Sequence, residues 1–479
     1  MRRLGWLVPL VALAGCGGST SATPAFRDVG ADAERRTGHR IHWRQTGDDD
    51  RKVDDAVRSL LAKPLSSDAA VYIALVRNPA LQATYEELSI AQADFVQAGL
   101  LKNPVLSAGV GFNNVSSPDF QVGVGWDFAD LFTRSARRTI ANDRLEIVKL
   151  RVGGEILRAA YDTRAAYFTL QGALQMASVR RVVAEAADAA VDLARRQHDA
   201  GNISDLDRVN QETQSAQAKL DLARAELEGR GAREQLIRAL GMWSVPDSLI
   251  VPDRLPDIPP EELALDQLEQ VAIAQRLDVA AARKESEAAY RFASLARQTR
   301  FGGGATVGAS YEHRSVEHER SFGPTAGVEL PLFDQHQAQI ARAEAEARQA
   351  EQRLQALAAA ARSEIRSVRD RLVFLRHTAV HFRSTLVPMR ERAVKLTQEQ
   401  YDAMLTGVYQ LLAAKQAEVS AYREYLETVR DYWIARAELE RAVGGRLGPP
   451  PPIEAMPAPA EAPPSGGGHE HHHMKEQPL

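Results

Sequence analysis

Residues 120–128 read FQVGVGWDF. Large apolar residues stand at every second position, and glycine or polar residues stand between them. Such strict period-two alternation predicts a β-strand with one apolar face and one polar face. Strands of about ten residues with aromatic side chains towards their ends are typical of outer-membrane β-barrels. The stretch therefore predicts a strand that lies in a membrane.

The alternation recurs in three further stretches, at residues 105–114, 304–311 and 325–332. Four strands cannot close a barrel alone, because the smallest membrane barrels have about eight. An open sheet in lipid would leave the backbone groups of both edges unpaired, which the bilayer penalises heavily. Membrane strands must therefore be pooled between copies of the chain, and three copies of a four-stranded chain would supply twelve. The alternative is a soluble four-stranded sheet packed on helices.

Helices of unusual length flank the predicted strands. From about residue 135 to 200 there is no proline, and apolar residues recur at helical spacing. At about 1.5 Å per residue, this helix would be roughly 100 Å long. A return helix over about 204–240 is little more than half as long, and a medium helix over about 67–101 has nearly the missing length. We therefore expect the two shorter helices to stack end to end along the long one.

The chain contains this order of elements twice, in residues 66–241 and 261–444, which predicts an internal duplication. A proline-rich connector, residues 242–260, joins the two repeats. The repeats match at the start of the medium helix, at the exit from the second strand and at the end of the return helix. The matching segments are 77–81 with 275–279, 126–130 with 330–334, and 239–241 with 442–444.

The second repeat predicts the same set of helices. We expect them at about 262–299, 335–403 and 408–443. Pro388 lies inside the longest of the three, and a proline there predicts a kink.

The turns between long and return helices lie at the end of the molecule remote from the strands. Gly201 suits a helix C-cap, and Ser204 with Asp207 forms a capping box for the next helix. The second turn carries apolar residues where a tip would be exposed, which favours a docking surface over simple caps. The candidate docking residues are Gly201, Asn202, Ile203, Leu405, Gly407 and Val408.

Two acids follow the first turn. Asp205 and Asp207, repeated in several copies of the chain, could form an acidic ring that acts as a pore gate. The alternative is that they are acids at a helix N-terminus, which the helix dipole favours.

The N-terminus predicts export. Met1-Arg2-Arg3 precedes a short apolar run, which ends at Leu13-Ala14-Gly15-Cys16, and Cys16 is the single cysteine of the chain. Residues 1–15 resemble a bacterial lipoprotein signal peptide, which implies that Cys16 carries the lipid and that residues 16–65 form a lipid-anchored segment. The alternative is an ordinary signal peptide with an incidental cysteine.

The sequence contains no candidate for a membrane-spanning helix. The N-terminal apolar run is shorter than the roughly 20 residues that such a helix needs, and every later stretch of that length contains charges. An α-helical transporter is therefore excluded.

The C-terminal residues, 445–479, are rich in proline, glycine and histidine, a composition that predicts disorder. Histidine side chains are ligands for divalent or soft metals, so the tail is a candidate site of metal capture. The candidate ligands are His469, His471, His472 and His473. The alternatives are a solvated low-complexity tail and the remnant of a purification tag.

Other function classes find no support in the sequence. A formal net charge of −4 argues against nucleic-acid binding. The sequence contains no Ser-His-Asp ordering, phosphate-binding loop or cluster of cysteine ligands, so we predict neither an enzyme nor a bound cofactor.

The lipoprotein signal, the duplicated order of elements, the Pro331-Leu332-Phe333-Asp334 strand exit and the glycine-containing tips together resemble the TolC-like outer-membrane efflux family. The resemblance covers roughly residues 66–444. It implies an α+β membrane protein, in which a homotrimer forms a 12-stranded outer-membrane β-barrel, with four strands per chain. A long periplasmic α-helical barrel would continue it. The second tip departs from the family pattern, because Met404-Leu405 stands where the first tip has Gly201-Asn202.

The resemblance also implies a function. The trimer would be the passive exit duct of a tripartite efflux system, docked tip to tip on a periplasmic adaptor that joins an inner-membrane pump. The histidine-rich tail favours heavy-metal cations as the exported substrate. Multidrug efflux and type I protein secretion use the same kind of duct. An alternative of another class is a periplasmic coiled-coil tether without a pore.

Overall fold

The computed structural model describes residues 19–45, 47–112, 118–243, 249–260, 268–300, 304–314 and 319–447. The predicted signal peptide, Cys16 and the four histidines of the tail lie outside the described residues. The described sheet and helices lie between these two terminal segments.

The strands form one antiparallel sheet in the order β1-β2-β3-β4. They are β1 (Val105–Gly111), β2 (Asp119–Asp127), β3 (Ala305–Arg314) and β4 (Glu319–Val328). The central pair joins the two halves of the chain, since Val124 of β2 lies opposite Ala309 of β3. Both halves therefore contribute two strands to a shared sheet.

The fourth strand differs from the prediction. It begins at Glu319 rather than near residue 325, and it ends at Val328, so that Leu330 and Leu332 follow the strand. The paired part of the sheet ends where Ala305, the first residue of β3, lies opposite Val328. One further hydrogen bond follows it, from the Glu329 N–H to the Gly304 carbonyl at 2.9 Å. Pro324 lies inside β4, where an edge strand tolerates the missing backbone donor.

The helices occupy most of the described chain. They are α1 (Thr23–Thr37), α2 (Asp48–Leu61), α3 (Ser67–Arg77), α4 (Pro79–Gly99), α5 (Ala129–Asp199), α6 (Asp205–Leu240), α7 (Leu268–Gln275), α8 (Leu277–Gln298), α9 (Gln337–His381), α10 (Val387–Asp402) and α11 (Val408–Val443). With 71 residues, α5 is roughly 100 Å long. Among the described residues, no helix combines the length and the apolar character that crossing a membrane requires.

Each medium helix is broken in two, contrary to the prediction of one continuous helix. In the first half the break falls at Asn78, whose backbone is extended because Pro79 disfavours helical geometry in the residue before it. In the second half Arg276 adopts nearly the same extended conformation without a following proline. Its side chain is held by Asp278 and Glu364, each at 2.7 Å.

The return helices end against these breaks. The Asn78 side chain donates a hydrogen bond of 2.9 Å to the Ala239 carbonyl, and Arg276 donates one of 3.3 Å to the matching Ala442 carbonyl. Gly241 lies so close that an added Cβ would be 2.5 Å from the Asn78 Cα. The end-to-end arrangement therefore involves α4 with α6 and α8 with α11, while α3 and α7 pack beside the return helices.

The irregularity predicted at Pro388 lies slightly earlier in the chain. A π-helical turn, Phe382–Leu386, separates α9 from α10. Pro388 has no backbone N–H to donate to a carbonyl one turn back, so the preceding turn widens.

The N-terminal segment packs on the long helix through α1. Ala25, Val29 and Ala33 recur at every fourth position of α1 and are buried. They pack with Leu145 and Val152 of α5, in a cluster that also contains residues of α4. The small side chains let α1 lie close to the long helix.

Candidate functional site

The register of the sheet sorts its side chains by chemistry. One face carries the large apolar residues, and the other carries mainly glycine, serine, threonine and charged residues. The apolar set is Leu106, Ala108, Val110, Phe120, Val122, Val124, Trp126, Val307, Ala309, Tyr311, Phe322, Ala326 and Val328. In the single chain this face is exposed, with Leu106 at 74% and Phe322 at 78% of full exposure. An exposed apolar patch of this kind marks a surface that a membrane or another protein covers.

Aromatic side chains continue the apolar face onto the long helix. The rings of Trp126 and Phe128 lie 6.2 Å apart, and those of Phe128 and Phe132 lie 5.4 Å apart, each edge to face. Phe132 of α5 is 74% exposed. Aromatic residues at one end of an apolar band are typical of a membrane–water interface.

The first helical tip, residues 201–207, is a regular helix end. Gly201 has φ of +74°, and its N–H donates to the His198 carbonyl at 2.8 Å. Asn202 donates to the Gln197 carbonyl, also at 2.8 Å, which completes a Schellman motif. The Ser204 and Asp207 side chains form the predicted capping box of α6.

The second helical tip, residues 404–410, has the same backbone hydrogen bonds with different residues. Met404 donates to Tyr401 at 2.9 Å and Leu405 donates to Gln400 at 2.8 Å. Met404 has φ of +58°, so this residue takes the left-handed position that Gly201 takes in the first tip. Gly407 has φ of −87° and is the N-cap of α11, which makes it the counterpart of Ser204.

The second tip is apolar and exposed. Met404 is 93% and Leu405 is 79% exposed, and Val408 and Tyr409 are partly so. On the first tip the exposed large apolar residue is Leu206. Sequence reasoning missed Met404 and Leu206 as candidate site residues, although aligning the two turns residue by residue places Met404 at the apex.

The two acids of the first tip have local partners. The Arg208 guanidinium lies 2.6 Å from the Asp205 carboxylate, and this hydrogen bond lowers the pKa of Asp205. Asp207 accepts hydrogen bonds from the Ser204 hydroxyl at 2.8 Å and from its backbone N–H at 3.2 Å. Within one chain both acids act as the helix N-terminal residues that the alternative interpretation describes.

Helices α4, α5, α8 and α9 lie side by side in this order and form a concave wall next to the sheet. The concavity has a volume of about 1370 Å³. Charged side chains of both signs line it, namely Glu87, Asp94, Arg137, Arg144, Arg151, Glu285, Arg342 and Glu346. The wall therefore presents charges of both signs, and neither sign predominates.

Neither the tips nor the wall contains an assembled metal site. No group of three or more histidine, cysteine or carboxylate side chains in the part of the chain that the structure describes could hold a metal ion. The tail histidines are outside that part.

Comparison with known proteins gives consistent matches. The model of the outer membrane efflux protein family matches residues 70–242. The cobalt-zinc-cadmium resistance protein CzcC of Cupriavidus metallidurans is 24% identical over 387 residues, which are 80% of this chain and 91% of that protein. The CmeC outer membrane channel of Campylobacter jejuni has a TM-score of 0.68 at 14% identity, covering 85% of this chain and 89% of CmeC. The CusC structure has a TM-score of 0.64 at 15% identity, and the match covers 82% of this chain and 92% of CusC.

Proposed function

Because the chain belongs to the outer membrane efflux protein family and is an outer-membrane efflux channel, we propose that it is the passive exit duct of a tripartite system for heavy-metal cations. In this proposal three copies assemble into a 12-stranded barrel. A periplasmic α-helical barrel continues it, and the chain is an internal duplication.

The four-stranded sheet is the observation that carries the proposal. Its apolar face is exposed in one chain, and the outer edges of β1 and β4 have no partner among the described strands. An unpaired edge in lipid is costly because water cannot satisfy its backbone groups. Pairing β4 of one copy with β1 of the next removes every edge once the ring closes.

The helical tips are proposed to dock on a periplasmic adaptor protein that links the duct to an inner-membrane pump. The exposed apolar apex of the second tip suits a partner with an apolar surface. The first tip has Gly201 and Asn202 at its apex and suits hydrogen bonding. The docking residues are Gly201, Asn202, Ile203, Leu405, Gly407 and Val408, to which the geometry adds Met404. Asp205 and Asp207 remain candidates for a pore gate in the assembled ring.

Heavy metal as the substrate is supported by the likeness to a protein named for cobalt, zinc and cadmium resistance. The histidine-rich tail adds ligands of the right chemistry at His469, His471, His472 and His473. The duct itself is proposed to be passive and without catalysis, so the energy comes from the inner-membrane pump. Lipid attached to Cys16 is proposed to anchor the chain in the outer membrane.

Charge placed at the tips tests the docking. Leu405→Glu and Asn202→Glu occupy matching, exposed positions, so folding and assembly should be unchanged. We expect cells with Leu405→Glu to lose cobalt, zinc or cadmium tolerance, because the adaptor would have to bury an unpaired charge. Asn202→Glu should reduce metal tolerance less than Leu405→Glu does.

The same cells challenged with lipophilic drugs provide the control for substrate class. Drug tolerance that falls while metal tolerance is unchanged would assign the duct to multidrug efflux. Normal tolerance of both with the two substitutions combined would show that the tips are helix caps and not a docking surface.

A further inference from the structure

A second cleft lies on the other side of the helical wall, between α4 and α5 and close to the sheet. Its volume is about 650 Å³. It is lined by Phe95, Leu131, Arg134, Ser135, Arg138, Thr139 and Asn142. At about 100° per residue, the α5 side chains in this cleft point roughly 150° away from those that line the concave wall. If the concave wall lines the duct of the proposed trimer, the cleft faces the outside of the duct.

The described residues that line the cleft offer hydrogen-bond donors and no carboxylate. Arg138 lies over the ring of Phe95, with its guanidinium carbon 5.3 Å from the ring centre. Arg134 donates through Nε to the Gly99 carbonyl at 2.6 Å, which holds its side chain against the end of α4. Among the described residues neither arginine pairs with an acid, so both positive charges are available to a ligand. Paired arginines with hydroxyl and amide neighbours suit a phosphate group.

The height of the cleft matches the headgroup layer of a membrane. Phe132 marks the boundary of the apolar face, and Arg134 and Arg138 follow it by about 3 Å and 9 Å along the axis of α5. The headgroup region on each side of a bilayer is about 5–8 Å thick. Arg134 would thus lie within the headgroup layer and the backbone of Arg138 at its outer limit. Helical side chains lean towards the helix N-terminus, which brings the Arg138 guanidinium group back towards the phosphates. Leu131 and Phe95 lie beside the two arginines for an acyl chain.

We propose that this cleft is a binding site for the phosphate headgroup of a glycerophospholipid in the periplasmic leaflet of the outer membrane. The inference rests on the proposed membrane insertion of the sheet. The chain's own N-terminus runs nearby, because the Gln92 side chain donates to the Ser19 carbonyl at 3.1 Å. An acyl anchor on Cys16 carries no phosphate, however, so it would leave both arginine charges unpaired.

The test is native mass spectrometry of the full-length protein in detergent, with phosphatidylglycerol as the probe. One variant combines Arg134→Gln with Arg138→Gln. A second carries Arg138→Gln alone and so keeps the Arg134 contact to Gly99. The control is Arg144→Gln with Arg158→Gln, which removes two exposed arginines from other parts of the same helix. We expect the first double variant to bind the lipid at least about tenfold more weakly, since charge-assisted hydrogen bonds are lost. The control should bind as the wild type does.

The remaining outcomes overturn the inference. Equal retention of diacylglycerol, which lacks phosphate, would mean that the arginines do not select the ligand. Displacement of the lipid by inorganic phosphate would make the cleft a free-anion site. Lipid binding that requires Cys16→Ala would show that the chain's own anchor fills the cleft. If all variants assemble and insert normally and bind the lipid equally, the lipid site is overturned and the proposed function stands. If the wild-type protein is soluble and unassembled, the proposed function itself is overturned.

Discussion

At the apex of the second tip, a methionine adopts a backbone conformation that the first tip gives to glycine. Left-handed geometry costs an L-residue roughly 1–2 kcal/mol because Cβ approaches the following carbonyl oxygen. Met404 accepts this cost while its side chain remains 93% exposed, so packing within the chain does not repay it. Strain held at an exposed apolar residue is consistent with a role in binding.

Exchanging the two apex residues tests this strain. Met404→Gly should raise the free energy of unfolding by up to about 1 kcal/mol, since the relief exceeds the greater entropy of glycine in the unfolded chain. Gly201→Ala should lower it by about 1 kcal/mol, and no atom lies within 4 Å of the added Cβ to confuse the result. Equilibrium unfolding in denaturant measures both. Changes of the same sign in the two variants would contradict the account.

At the scale of elements, the sequence predicted regular segments well and their interruptions poorly. The ends of α6 and α11 were predicted correctly, because a capping box or a C-terminal glycine marks them. The break at Arg276 has no proline or glycine beside it. It depends on Asp278, Glu364 and the end of α11, which are contacts that local residue preference does not reveal.

The same limit explains the other differences between prediction and structure. The buried stripe of α1 is made of alanine and valine within a polar segment, so average composition did not indicate it. The left-handed position of Met404 follows from hydrogen bonds that local residue preference opposes. The apolar face of the sheet, by contrast, was predictable because period two fixes which side chains share a face.

The two junctions between medium and return helices allow a matched test. Arg276 is largely buried and makes two ion pairs and a backbone hydrogen bond. Arg276→Ala should therefore lower the free energy of unfolding by about 3 kcal/mol, as when one partner of a buried pair is removed. Asn78→Ala loses a hydrogen bond and a helix cap and should cost about 1–2 kcal/mol. Equal effects in denaturant unfolding would show that the ion pairs contribute little.

At the scale of the whole molecule, one charge cluster ties the N-terminal segment to both repeats. Asp68 of α3 lies 3.0 Å from Arg164 of α5, 3.4 Å from Arg446 and 3.5 Å from His39. Arg164 also pairs with the buried Glu440 of α11. The hydrogen bond from His39, with the two arginine charges, holds the pKa of Asp68 well below its ordinary value.

This pKa predicts how stability changes with pH. A carboxyl whose pKa is lower in the folded state stabilises the protein above its unfolded pKa, about 3.9, and loses that contribution as the pH falls through the folded value. Asp68→Asn should therefore lower the thermal midpoint at pH 7, and the gap from wild type should narrow below about pH 4. A gap that stays constant down to acid pH would mean that the aspartate acts through packing alone.

Membrane insertion of the assembled sheet can be tested with two neighbouring residues that point to opposite faces. Val122 belongs to the apolar set of β2, and Gln121 lies on the other face. An arginine facing lipid near the bilayer midplane costs about 2–4 kcal/mol, whereas one facing an aqueous lumen is tolerated. Val122→Arg should therefore reduce the yield of outer-membrane protein with the mass of three chains, and Gln121→Arg should not. A periplasmic tether without a pore predicts a different result, in which both variants remain soluble without detergent and their mass does not depend on which face carries the charge.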